Sequence, residues 1–156
     1  MGTLTLKQAN GIIEAIIRRG NETGTRPLSV VVVEPGCVVK AFQKEDGSSM
    51  VRFEMAFGKA YAALALGRSS SLVRIRNEEK PAFMQYLFNA TDHRIFPEGG
   101  GALIRSPEGE VIGAVGVTGD TRGAGRRTRL PWYPGDRLQD GRRLCCARPH
   151  CQRQAH

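Results

Sequence analysis

Histidine and cysteine are scarce over the first 121 residues of this chain, which hold one of each, His93 and Cys37. A lone cysteine excludes a disulfide framework there. It also sits beside a turn with no partner in sequence, so no Cys-His or Ser-His-Asp arrangement is legible. Long hydrophobic runs are missing too: none approaches the ~20 residues needed to span a bilayer. The opening MGTLTLKQANG lacks the basic and apolar regions of a signal peptide. Gly2 is followed by TLTL, without the Ser/Thr of a myristoylation motif. These absences lead to the expectation of a soluble, cytoplasmic protein.

Lysine is absent after residue 121. Residues 122–156 carry nine arginines against Asp136 and Asp140, a net charge of +7. Residues 1–121 carry 14 basic and 13 acidic residues, a net of +1, so the body is near neutral and the basicity belongs to the tail. The body is long enough to bury a core without staples.

The chain is organised around Pro97–Thr121. Gly99, Gly100 and Gly101 lead into a short apolar run, Ala102–Arg105. Ser106-Pro107-Glu108-Gly109 is a turn tetrapeptide. Val111–Val117 comes next with both faces apolar: Val111, Val115 and Val117 on one, Ile112 and Ala114 on the other. That pattern predicts an interior strand. Gly113 and Gly116, one per face, predict close packing against the backbone on each side.

Upstream, Thr5-Leu6-Lys7-Gln8 reads as a capping box opening an amphipathic helix that ends at Gly20 or Gly24. Leu28–Val33 and Val38–Phe42 form a hairpin around Pro35-Gly36. Ser49 is placed to cap a second, Ala/Gly-rich helix from Met50 to Leu66, stopped by Gly67. Ser70 or Ser71 caps a shorter helix, and Pro81 opens another, Ala82–Phe88. The order is α+β, an antiparallel sheet covered by helices.

TLTLKQAN at residues 3–10, VVVEPGCVVKAF, Phe57-Gly58-Lys59-Ala60 with Gly67-Arg68-Ser69, and EGGGALIR…GEVIGAVGVTGD stand in one order. Together they resemble the GlcG/HbpS family over about residues 3–121. That family includes haem-binding proteins and the C-terminal domain of PduO-type corrinoid adenosyltransferases. The resemblance implies a profilin-like fold, an antiparallel sheet flanked by helices, and assembly into homo-oligomers. It implies haem or another tetrapyrrole as a possible cofactor, while other members are encoded with glycolate, diol or aromatic catabolism.

Candidate site residues are chosen by their chemistry. Gly99, Gly100 and Gly101 either present backbone N–H groups to a carboxylate or phosphate, or form a tight lead into an edge strand. Lys59, between Gly58 and Ala60, is either an anion contact or a solvated or salt-bridged lysine. Thr118 and Asp120 end the last strand, where ligand-facing groups are common, and Asp120 is equally suited to cap a helix beginning there. His93 is the single candidate metal ligand of the body, in a loop with Asp92 and Arg94. Met50, Met55 and Met84 read as packing residues. Cys145, Cys146, His150 and Cys151 lack the paired spacing of a zinc site.

The functional reading is a small-molecule-binding accessory protein that takes a small anionic ligand or a tetrapyrrole. No catalytic constellation is legible. One rival is an enzyme acting on a carboxylated substrate through the glycine loop, Lys59 and Asp120. Another is nucleic-acid binding through the arginine tail. That tail, broken by Pro131, Pro134 and Pro149 and without helical periodicity, is expected to be disordered. It is read either as a basic arm or as the product of a shifted reading frame near codon 122. Residues Arg122–Arg137 can be encoded so that the frame one nucleotide later reads EERDEELACHGIRAIG, an acidic helix. Limited proteolysis should therefore strip residues 122–156 and leave a core ending near Thr121; a tail as resistant as the body would overturn this.

Overall fold

The computed structural model describes residues 3–119. Asp120 and the basic tail, with the readings attached to them, lie outside the described residues.

Helix α1, Leu6–Thr23, starts from the expected capping box. The Gln8 N–H donates to Thr5 Oγ1 at 3.2 Å, and the Thr5 N–H donates to Gln8 Oε1 at 2.9 Å. It ends on Gly24, whose left-handed backbone (φ 69°) lets the cap N–H reach back to the last carbonyls. Strands β1, Ser29–Val33, and β2, Val39–Lys44, pair antiparallel around the Glu34–Cys37 turn. There Gly36 takes φ 86° and the Cys37 N–H donates to the Glu34 carbonyl.

Helix α2, Arg52–Leu66, ends on Gly67 as expected, but its start differs. Ser49 does not cap it. The helix begins two residues after Met50, with Val51 at the cap position and no side-chain cap bond. Residues 49–51 form a turn instead, the Arg52 N–H donating to the Ser49 carbonyl at 3.3 Å. Helices α3, Ser70–Glu79, and α4, Pro81–Ala90, come next almost without a break, Pro81 fitting the first helical turn. Ser69 stands at the α3 cap position, and the Ser70 hydroxyl is engaged elsewhere.

Strands β3, Gly101–Arg105, and β4, Val111–Thr118, complete a sheet of order β2-β1-β4-β3, antiparallel throughout. β4 is interior, as its two apolar faces predict. One face packs against Ala9, Ile13 and Ile16 of α1 through Val30, Val32, Val115 and Val117. The other packs against Ala56, Ala60 and Ala63 of α2 through Val31, Val33, Leu103 and Ala114. The expected pairing of Ile112 with Ala114 on one face is overturned: Ile112 joins the α1-side cluster. The register shifts between Ile104–Gly113 and Arg105–Val111, leaving Ile112 as the extra residue of a bulge. A bulge turns its side chain out of strict alternation. A third, smaller core of Ala62, Val73, Met84 and Ile95 ties α3 and α4 to the outer side of α2.

The two interior glycines of β4 are both places of close approach. A Cβ on Gly113 would meet the Val33 carbonyl and the Leu4 side chain. A Cβ on Gly116 would overlap the Ala56 carbonyl oxygen, so α2 rests directly on the β4 backbone. Gly116→Ala should therefore force helix and strand apart and lower stability by about 3 kcal/mol, read as a fall in the urea midpoint. An unchanged midpoint would show that the contact yields freely.

Candidate functional site

The face that α2 turns to the sheet carries Arg52, Ala56, Lys59, Ala60 and Ala63, the spacing of one helical stripe. The small alanines and the glycines beneath them bring the helix down onto the sheet. Gly101 makes room for the Lys59 main chain, since a Cβ there would overlap the Lys59 carbonyl. The Lys59 side chain then runs past Gly100, whose missing Cβ would lie 3.4 Å from Lys59 Cδ and 3.5 Å from Nζ. Its ammonium donates to the Val117 carbonyl at 3.1 Å and lies 5.7 Å from the centre of the Phe96 ring.

That carbonyl is available because the β3–β4 ladder ends there. The Val117 N–H donates to the Gly100 carbonyl at 2.9 Å, but the return bond comes from Lys59 in place of a strand N–H. Gly100 has turned away at φ 113°. Lys59 is thus withdrawn from solvent and makes no ion pair with the described residues. It is only 8% exposed and hydrogen-bonded to main chain. Burial pushes its amine down to about 8, with Arg52 adding to the effect and Glu98 opposing it.

The glycine loop divides by residue. The Gly101 N–H is committed, donating to Ser70 Oγ at 2.7 Å, while that hydroxyl donates to the Glu98 carbonyl. Of the two readings of the glycine run, Gly101 follows the tight lead into a strand, being already the first residue of β3. Gly99 and Gly100 are half-buried, and their amides donate to no described residue.

Thr118 is buried at the end of β4, opposite Ser29 of β1. The Ser29 hydroxyl is fully buried without a hydrogen-bond partner among the described residues. Next to Thr118, Gly119 takes φ 130°, and Arg52 Nη1 lies 2.9 Å from where a Cβ of Gly119 would stand. Arg52 makes no ion pair with the described residues. The structure therefore brings Lys59, Gly100 and Thr118 to one end of the sheet under the first two turns of α2. To these it adds Arg52, Ser29 and Phe96, which sequence reasoning missed. Arg52 was findable, seven residues before Lys59 and hence on the same helix face.

His93 is placed apart from this chemistry. It is exposed, in a left-handed turn (φ 56°) that closes α4, its N–H donating to the Phe88 carbonyl. Among the described residues, no group of three His, Cys, Asp or Glu is placed to hold a metal. Burial raises the Cys37 thiol to about 11, far from a thiolate at neutral pH. Two of the clefts on the described residues lie near charged side chains. One, of 450 Å³, lies between Asn21 and Thr25 at the end of α1 and Gln43–Asp46. The other, of 130 Å³, lies between Leu66, Val73 and Phe83. Lys59 lines neither. No described helix is long and apolar enough to cross a membrane.

Comparison with known proteins gives this chain relatives. The family described as haem degrading protein HbpS-like matches residues 4–124. An uncharacterised 15.0 kDa protein from the dhaT–dhaS intergenic region of Citrobacter freundii is 28% identical over 121 residues, covering 78% of this chain and 83% of that protein. The crystal structure of protein ORFY from Klebsiella pneumoniae superposes with a TM-score of 0.69 at 26% identity, covering 78% of this chain and 81% of that one. A PduOC–haem complex superposes at 0.68 and 19% identity, covering 77% and 85%. A double mutant of HbpS from Streptomyces reticuli superposes at 0.64 and 21%, covering 76% of each chain. At such identities the last two likenesses show the fold alone.

The lowered Lys59 amine has a stability consequence. Between about pH 8 and its ordinary value of 10.5 the unfolded chain holds the Lys59 proton more tightly than the fold does. Stability should rise with pH across that window, because the cost of a buried ammonium is lifted as it loses its proton. Relative to Lys59→Met, the native chain should gain up to about 3 kcal/mol in urea titrations from pH 8 to 10.5. A difference that stays flat would mean that Lys59 titrates as in water.

Proposed function

The chain belongs to the HbpS-like family, and from that premise we propose that it is a small-molecule-binding accessory protein whose ligand is held by a carboxylate at the Lys59 end of the sheet. The observation that carries this reading is a buried ammonium with one hydrogen bond to the described residues. Such a group retains donor capacity, and an anion is its natural complement. The amides of Gly99 and Gly100, and Arg52, which makes no ion pair with the described residues, give the same sign of potential.

A haem held through its iron finds no support in the described residues. His93 is exposed on a turn, and Met50 is 92% exposed. Recognition through acid groups accommodates either a small carboxylic acid or the propionates of a tetrapyrrole. Assembly into a homo-oligomer is part of the same proposal. Val38, Val39, Met50 and Val51, exposed where β2 and the start of α2 adjoin in sequence, offer apolar surface for it.

The test is calorimetric titration of the full chain with glycolate and succinate, and Soret titration with haemin. Lys59→Met and Arg52→Gln should each weaken carboxylate binding roughly tenfold or more, with the fold checked by circular dichroism. Any Soret change should survive His93→Ala. Carboxylate affinity unchanged in a folded Lys59→Met chain would remove the site, and a Soret change lost with His93→Ala would restore iron ligation.

A further inference from the structure

The cleft between α2, α3 and α4 is chemically unlike the Lys59 site. Its lining is Leu66, Arg68, Val73, Arg76 and Phe83, with no carboxylate among them. α4 creates it. The backbone leaves the helix at Lys80 (φ −136°, ψ 65°), Pro81 opens α4 directly after it, and Met84 is fully buried in the core beside Ala62 and Val73. That leaves Phe83 on the flank, 46% exposed, as one wall of the cleft. Val73, fully buried, and Leu66 form the apolar floor.

The two arginines stand at this apolar space without acidic partners among the described residues. Arg68 donates through Nε to the Leu66 carbonyl at 3.4 Å, at the end of α2. Arg76 lies over the Phe83 ring, its guanidinium carbon 5.9 Å from the ring centre. Neither makes an ion pair with the described residues; the neighbouring Glu78 pairs with Arg74 instead. A volume of 130 Å³ is close to the ~150 Å³ apolar cavity that takes up a benzene ring.

We propose that this cleft binds a small apolar carboxylic acid, its ring or branched chain inserted against Leu66, Val73 and Phe83 and its carboxylate held by Arg68 and Arg76. The site is independent of the Lys59 site and uses none of its residues. The apolar floor selects the body of the ligand. The guanidiniums select its charge, because a planar carboxylate matches the donor fork of arginine. An uncharged isostere loses that half of the recognition.

The experiment is a nuclear magnetic resonance titration of the full chain with benzoate and, in parallel, benzamide. Benzoate should shift the amides of Val73, Arg76 and Phe83, saturating in the millimolar range or below. Benzamide should bind roughly fivefold more weakly or worse. Arg76→Gln should weaken benzoate by a similar factor, and Phe83→Ala should weaken both probes. If Arg76→Gln disturbs the fold, Arg68→Gln supplies the same reading. No shift at these residues with folded protein would overturn the proposal, as would equal affinity for benzamide. Binding confined to a peptide ending in phenylalanine, with none to benzoate, would overturn it in favour of a protein partner.

Discussion

The structure depends on one close contact, the descent of α2 onto the backbone of β4. Gly116 and Gly101 present bare main chain to the helix, and Ala56, Ala60 and Ala63 present little more than methyl groups in return. Both sides must be small at once. A helix at this distance excludes water from the sheet, so β1, with every residue buried, can consist of Ser29 and four valines. The opposite face meets no helix backbone this closely among the described residues and is filled by isoleucine and valine packing under α1. One face is set by shape, the other by volume.

The same contact makes the candidate site. A lysine on the inner stripe of a helix this close to a sheet cannot reach solvent by the usual outward path. Lys59 lies along the glycine loop and ends on the last carbonyl of the ladder. Its hydrogen bond replaces the strand partner that Gly100 fails to supply, so one side chain finishes the sheet and brings a positive charge to its end. Electrostatics and architecture cannot be separated there. The Ser70 hydroxyl, bonded to both Gly101 and Glu98, fixes the loop from its other side. The chain thus holds two amides in an irregular segment without a long loop.

Much of the fold was legible because its signals are local. The Thr5–Gln8 capping box, Gly24 and Gly67 as helix stops, Pro81 at a first turn and the Pro35-Gly36 hairpin each depend on a few adjacent residues. The misjudged positions depended on distant ones. Ser49 matched a cap by residue type, yet the chain formed a turn there and α2 began at Arg52. Ile112 obeyed alternation in sequence but was turned by a bulge that exists only against β3. Ser70 had the chemistry of a cap and spends its hydroxyl on a segment some thirty residues away.

The site shows the same division. Lys59, the triple glycine and Thr118 could be selected from the sequence as residue types suited to an anion. What each does was not encoded locally. Whether a lysine is solvated or buried depends on what lies above and below it, and only the α2–β4 contact settles that. Gly101 is a packing residue because a helix carbonyl occupies the space of its Cβ, a fact invisible in the run of three glycines. The sequence by itself determined the α+β order of elements, the two-faced burial of the last strand and the small residues needed for close approach, because each is a matter of period and residue size. Only the tertiary structure decided which charges lose water and which hydrogen-bond donors remain open, because desolvation and ladder ends are properties of contacts between segments far apart in the chain.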